Sequence, residues 1–358
     1  MATTAVTNAN NRVFYAVHSV GMKAHQALPI TYNPVSGVQS VGINTTFNLD
    51  QVFQLGQLDL YENIENIPDV EVTIEKVLDG MPLIQHLSTP SVAANASGLS
   101  TRYGNSRTDV AIAYYDDTQE NAVGNSLAVV MCSGMYMSSI NMSFNVDGNA
   151  TESVTLVGND KFWEKGVNNF EYQPPSSAFG GKSPNSTIRR RQHIQTTGIA
   201  GTGASLFPRD IPGIRPDGAI DKAGGARIQS ITTSVDLGRS ELFELGTKGP
   251  YHRFAEFPTE VTCAIEVIEP EFGDFVEADS SKNSNVNPER IYILVGSDVD
   301  NNWTIINLGN NNKLSSITSS GGDTGGGNRS TTYNYSNFNF FTVVDSEDVA
   351  GVDSAIFN

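Results

Sequence analysis

Apolar and polar residues alternate over many short stretches of this chain, and few stretches show the three-to-four residue spacing of a helix. Val70 to Val77 and Glu260 to Val267 alternate or run apolar and are rich in β-branched residues, as strands with one buried face are. Ser138 to Val146 and Ala150 to Val157 read as the two strands of a hairpin that turns at Asp147-Gly148-Asn149. A comparable turn late in the chain is stretched into Gly321-Gly322-Asp323-Thr324-Gly325-Gly326-Gly327-Asn328. Two short helices are predicted beside the strands. One covers Pro82 to Leu87, and the other covers Asp50 to Tyr61, where Val52, Phe53, Leu55 and Leu58 share a face. The pattern predicts a mainly β protein.

The pattern also recurs within the chain. Val38-Gln39-Ser40-Val41 lies over Ile228-Gln229-Ser230-Ile231, and the match runs ungapped for about thirty residues at an offset of 190. Phe53, Leu55, Gly56, Tyr61 and Pro68 meet Phe243, Leu245, Gly246, Tyr251 and Pro258. After the proline one residue slips, so that Glu71-Val72-Thr73 meets Glu260-Val261-Thr262. Further on, Met137-Ser138-Ser139-Ile140 faces Leu314-Ser315-Ser316-Ile317, each leading into a Gly/Asn/Asp turn and a Thr-rich strand. A period this long marks whole domains rather than solenoid turns. The reading is two tandem homologous domains, 12–165 and 226–358, with a Pro/Gly-rich linker or arm at 166–225; its rival is two unrelated β-rich segments of similar composition. The linker holds Lys182, Arg189, Arg190 and Arg191, and a structureless stretch of that length is either disordered or laid over a neighbouring surface.

Charged residues make up 17% of the chain and hydrophobic ones 39%, outside the range in which chains stay disordered. Lys and Arg total 22 against 39 Asp and Glu, a net charge of -17, which excludes a protein that grips phosphates. Met1 to Arg12 is polar with no apolar core, and no run reaches the roughly 18 apolar residues of a membrane span. The expectation is synthesis in a cytoplasm without membrane insertion. The N-x-[ST] triplets follow from the Asn/Ser/Thr-rich composition.

Candidate chemistry is thin. No metalloprotease, hydrolase or phosphate-loop motif occurs, and Gly201-Thr202-Gly203 lacks the third glycine of a dinucleotide fingerprint. Cys132 and Cys263 read as buried small hydrophobes, and His18 and His25 as structural rather than a ligand pair. The remaining histidines, His86, His193 and His252, are scattered. Asp50, Asp59, Glu62, Glu65, Asp69, Glu71, Glu75 and Asp79 stand against a single Lys76, and their spacing singles out no acid/base pair, so they read as a charged face. Arg189 to Arg191 lack interleaved aromatics and fit pairing with acidic patches of a neighbouring subunit better than nucleic acid. Catalytic, cofactor-binding and metal residues are therefore expected to be none, and the protein is not expected to be an enzyme.

Gly37-Val38-Gln39-Ser40-Val41, Asn48 through Leu58, Tyr61-Glu62, Ile67 through Thr73 and Val77-Leu78-Asp79-Gly80 together resemble the major tail tube proteins of tailed phages. The later stretch from Ser138 through Asn149 and from Thr151 through Gly158 is similar to the strand, turn and strand that close the tube domain in that family. The resemblance implies β-sandwich or barrel-like domains with short flanking helices, six to a ring, with rings stacked into a virion tail that conducts DNA during ejection. With two such domains per chain, it implies a trimeric, pseudo-hexameric ring. The implied partners are the chain itself, other tail proteins (tape measure, terminator and baseplate) and DNA in transient passage. Under this reading part of the carboxylate population, with the polar strands Ser138 to Thr155 and Ser315 to Tyr333, lines the lumen. The linker and the long loops, including Leu87 to Asn105, are then candidates for ring-to-ring contacts. The alternatives are another virion structural β protein (head decoration, neck, baseplate or fibre) and an extracellular adhesive or carbohydrate-binding β protein.

Overall fold

The computed structural model describes residues 13–25, 32–79, 82–88, 96–98, 107–116, 126–165, 188–197, 227–268, 291–296, 304–321 and 328–345. In chain order the first part gives β1 (Val13–Ala24), β2 (Asn33–Pro34), β3 (Val38–Thr46), β4 (Leu49–Phe53), β5 (Leu60–Glu65) and β6 (Asp69–Val77). The helix α1 (Leu83–Ser88), β7 (Ala96–Gly98), β8 (Arg107–Asp116), β9 (Ala128–Asn145), β10 (Thr151–Gly158) and β11 (Asp160–Lys165) follow. After a 3-10 turn at Arg191–His193 come β12 (Ile194–Thr197), β13 (Arg227–Asp236), β14 (Arg239–Leu242), β15 (His252–Ala255) and β16 (Glu260–Ile268). The last strands are β17 (Tyr292–Val295), β18 (Thr304–Asn307), β19 (Lys313–Ser320), β20 (Ser330–Phe338) and β21 (Thr342–Asp345).

Period-two patterning builds the sheets. In β6, Val70, Val72 and Ile74 are buried while Glu71 and Glu75 are exposed, and β10 and β20 alternate in the same way. Eight antiparallel strands run in the order β19-β20-β16-β13-β9-β10-β6-β3, so strands from both parts of the chain share one sheet. They meet where β9 pairs with β13, Asn145 opposite Ser230 and Ser139 opposite Asp236. The N-terminal half of β9 leaves this row and takes β8 on one side and β11 on the other, and β8 in turn carries β1. A separate five-stranded sheet runs β12-β17-β18-β21-β7. One apolar cluster joins the buried face of the long row (Ile74, Ile140, Val154, Ile265) to the second sheet (Ile293, Val295, Val343) and to α1 (Leu83, Ile84, Leu87). Each such side chain, taken out of water, contributes about 1.5–3 kcal/mol.

The two parts of the chain repeat geometry as well as order. The row β3-β6-β10-β9 is followed by β13-β16-β20-β19, and the set β1-β8-β9-β11 has a counterpart in β12-β17-β18-β21. Register breaks fall between Val38 and Ser40 and again between Ile228 and Ser230. They fall also opposite Thr155/Leu156 and at Leu314/Ser316, where the two Ser-Ser pairs align. The Ser40 hydroxyl donates to Glu75 at 3.1 Å, and the Ser230 hydroxyl donates to Glu266 at 3.0 Å.

This pairing corrects one alignment. Ser40 opposite Glu75 and Ser230 opposite Glu266 put Asp69, not Glu71, level with Glu260. A two-residue slip keeps every side chain on its face, so alternation alone does not detect it.

The helix predicted at Asp50 to Tyr61 is instead the hairpin of β4 and β5, closing near Gly56 at φ +101°. Its supposed stripe has no core to meet, since Leu55 and Leu58 are fully exposed, and paired strands satisfy the backbone that a helix would have satisfied. The counterpart hairpin of β14 and β15 has Gly246 at φ +95°. The helix expected at Pro82 to Leu87 is α1, displaced by one residue, and the hairpin at Asp147-Gly148-Asn149 forms between β9 and β10. Within the stretch read as a linker, residues 188–197 are described, and β12 there pairs with β17. Gly201-Thr202-Gly203, most of Gly321 to Asn328 and most of Leu87 to Asn105 lie outside the described residues.

Candidate assembly surfaces

The eight-strand row turns one face to the core and the other to solvent. On the solvent face β6 presents Glu71, Thr73 and Glu75, β10 presents Ser153 and Thr155, and β9 presents Ser139, Asn141 and Ser143. Across the joint it continues with Ser230, Thr232 and Ser234 of β13, Thr262 and Glu266 of β16, Thr332 and Asn334 of β20, and Ser316 and Thr318 of β19. Among the described residues Lys or Arg reach this face only at two strand ends, Arg227 and Lys313. The result is a broad hydroxyl- and amide-covered surface with isolated carboxylates, two of them, Glu75 and Glu266, accepting the serine hydroxyls described above. The segments Ser138 to Thr155 and Ser315 to Tyr333, singled out in the sequence, contribute to it.

The eight carboxylates between residues 50 and 79 do not act together. Glu71 and Glu75 lie on the polar face, and Asp50, Asp59, Glu62 and Glu65 belong to the β4–β5 hairpin and its turn. Asp69 pairs with Arg253 at 2.7 Å, and Asp79 pairs with Lys76 at 2.5 Å.

Lys76 and Asp79 belong to a buried ionic group that the sequence reading missed. Glu152 stands directly across the strand pair from Lys76 and is wholly buried. Its carboxylate accepts the backbone N–H of Leu83 at 2.7 Å and of Ile84 at 3.3 Å, which fixes the first turn of α1 on the sheet. Burial pushes its carboxyl from 4.5 up to about 7, against the pull of those N–H groups and of Lys76. The phase of the strands was the available signal, because Glu152 alternates in step with buried Val154 and Leu156, and Lys76 with Val72 and Ile74. The helix so held extends the first part of the chain across the joint: Leu78 and Pro82 border the same small cavity as Val295, Thr304 and Ile306. Further along, β7 adds an edge strand to β21.

The base of the β14–β15 hairpin ties the joint from the other side. Arg253, 8% exposed at its side chain, donates to Asp69 and to Asn159 and pairs with Glu241. Arg239 donates to the Met137 carbonyl at 2.6 Å and lies over the Tyr136 ring. Burial pulls its guanidinium down to about 10. Beyond this base both hairpins project bare apolar side chains. Phe53, Leu55 and Leu58 stand on one, and Phe243, Leu245 and Tyr251 stand on the other, all at least 59% exposed.

Of the other residues marked in the sequence, His25 is half-buried and Cys132, Cys263 and Arg189 are buried. His25 bonds Asp109 at 2.8 Å. Burial would raise the Asp109 carboxyl, but the Gly134 N–H, His25 and Ser133 together hold it below its ordinary value. Cys132 and Cys263 are buried free thiols. Arg189 is buried with its backbone bonded to Leu78 and Ala150, while Arg190 donates to Asn149 and Arg191 is exposed.

No protein-family profile matches the chain, and no curated protein is similar to it in sequence. Among solved structures it is similar to a chain of the anti-feeding prophage baseplate, at 12% identity and a TM-score of 0.30, over 46% of this chain and 98% of that one. It is similar also to a chain of the sheath-tube complex of an extracellular contractile injection system in the extended state, at 13% identity and a TM-score of 0.32, over 46% and 99%. A chain of the anti-feeding prophage cap, which terminates the tube, matches at 14% identity and a TM-score of 0.28, over 45% and 99%.

Proposed function

We propose that this protein is a tail tube subunit of a phage or phage-like particle, its two halves being copies of one tube domain that build rings by strand pairing. The observation that carries the reading is the eight-strand row itself: among the described residues it ends in two open edges, β3 and β19, and presents one continuous polar, carboxylate-bearing face. Open edges are templates for further pairing, and closure into a ring removes them. The repeated strand order, register breaks and serine–glutamate bonds support descent of the two halves from one domain.

The polar face is the lumen wall. Carboxylates there repel the phosphates of passing DNA, and Ser, Thr and Asn keep the wall wet without holding the cargo. The exposed hairpins β4–β5 and β14–β15 project from one end of the row, the end that carries Thr46 and Asp236, and are where the next ring of the same protein docks. Exposed Arg190 and Arg191 sit at the opposite end, beside the β9–β10 turn, and complement the carboxylates Asp50, Asp59, Glu62 and Glu65 of the first hairpin. A contact between unlike ends does not close on itself and so propagates as a stack.

Replacing Glu71 and Glu266 by Lys tests the lumen assignment. Rings are expected to assemble and DNA ejection to slow or stop; unchanged ejection kinetics contradict the assignment.

A further inference from the structure

We propose that successive copies join through β19 of one copy and β3 of the next, in the register that β9 and β13 already use inside the chain. This rests on the reading of the protein as a ring-forming wall and specifies how the wall is made. The internal joint sets Ser139 opposite Asp236, Ile140 opposite Val235 and Asn141 opposite Ser234. The aligned register breaks make Ser316, Ile317 and Thr318 of β19 the counterparts of Ser139, Ile140 and Asn141. The β13 positions correspond to Thr46, Thr45 and Asn44 of β3. The joint between copies therefore places Ser316 against Thr46, Ile317 against Thr45 and Thr318 against Asn44.

Face and burial agree with this pairing. Thr318 and Asn44 are both exposed on the polar side, while Ile317 and Thr45 both turn inward, so the alternation stays in phase across the new pair. Positions buried in the internal joint are open at the edges: Ile140 is 1% exposed where Ile317 is half-buried, and Thr233 is 1% exposed where Ile43 is half-buried. A second strand points to the same neighbour. β11 stands to β9 as β21 stands to β18, yet β21 is covered by β7, and among the described residues β11 has an open outer edge with Trp163 60% exposed.

The two joints differ in their fastening. Arg253 and Arg239, which tie the internal joint to Asp69 and Met137, correspond to Asn63 and Leu49, while Asp69 corresponds to Glu260. The joint between copies thus lacks both arginine ties, and it is the one that opens first.

Disulfide trapping tests the register. In the full chain carrying Asn44→Cys and Thr318→Cys, copper–phenanthroline oxidation of assembled protein is expected to give a ladder of linked chains ending at the ring size. The out-of-register pair Asn44→Cys with Ser320→Cys is expected to link at least tenfold less. Assemblies that form normally but link equally with both pairs, or with neither, overturn the register and leave the tube reading standing. A protein that stays monomeric at all concentrations overturns the joint itself. In-register linking in an assembly without a central channel upholds the joint and removes the tube reading.

Discussion

The two halves solve one packing problem differently at equivalent positions. Where the first half buries Lys76 across from Glu152, the second has Val267 beside Thr331, both also buried. The uncharged solution suffices to hold a sheet. The ionic one adds direction, because the Glu152 carboxylate grips two N–H groups of α1 and fixes the element that reaches over to the second half. A buried ion pair gives little net stability against a hydrophobic replacement, yet is costly to break from one side. The first half is therefore expected to owe its ionic group to the joint rather than to its own fold.

Substitution at these positions gives the largest expected effect. Lys76→Met leaves Glu152 and Asp79 without their cation and is expected to cost about 3–5 kcal/mol in urea unfolding. The double change Lys76→Val with Glu152→Thr, which copies the second half, is expected to recover most of that loss while loosening α1. If the double variant is as unstable as the single one, the two halves are not alternative solutions to one problem. The pH dependence separates them further. Folded Glu152 holds its proton up to about 7 against 4.5 when unfolded, so its contribution to stability is complete below 4.5 and is lost as pH rises through 7. Glu152→Gln is expected to flatten that part of the stability profile, and a profile unchanged by the substitution contradicts the assignment.

The joints come next in size. Arg253→Ala removes a nearly buried guanidinium from Asp69, Glu241 and Asn159 and is expected to cost about 1–3 kcal/mol. The mirror change, Asn63→Arg, offers Glu260 of the neighbouring copy the tie that the internal joint has, and is expected to lower the concentration at which assembly begins. Assembly unmoved by Asn63→Arg argues that the two joints are not built alike. The smallest effect on stability belongs to the hairpins. Leu55→Asp with Leu245→Asp, both fully exposed, is expected to change stability by less than about 0.5 kcal/mol and to shorten assembled cylinders severely. Cylinders of normal length place the ring-to-ring contact elsewhere.

Much of the sheet was legible because alternation is a local property. Val70 to Val77, Glu260 to Val267 and the hairpin at Asp147-Gly148-Asn149 need no distant partner to declare themselves. Two failures share a cause. The apolar residues of Asp50 to Tyr61 fit a helix stripe as well as a hairpin, and only the absence of a core beneath Leu55 and Leu58 decides between them. The Glu71–Glu260 match likewise shifts by two residues once the neighbouring strands are present. Nothing local in the sequence marks Glu152 as a capping carboxylate, because the N–H groups it accepts belong to α1, a helix that meets it from 68 residues away in the chain. The ties made by Arg253 and Arg239 come from the second half and act on the first, and no spacing within either half announces them.

Electron microscopy of the purified full-length protein bears most directly on the central claim that the open edges β3 and β19 close the row into a hollow ring. The expected images are rings and stacked cylinders with a central channel and six lobes made by three chains. Discrete single copies, or open ribbons with no channel, would contradict it.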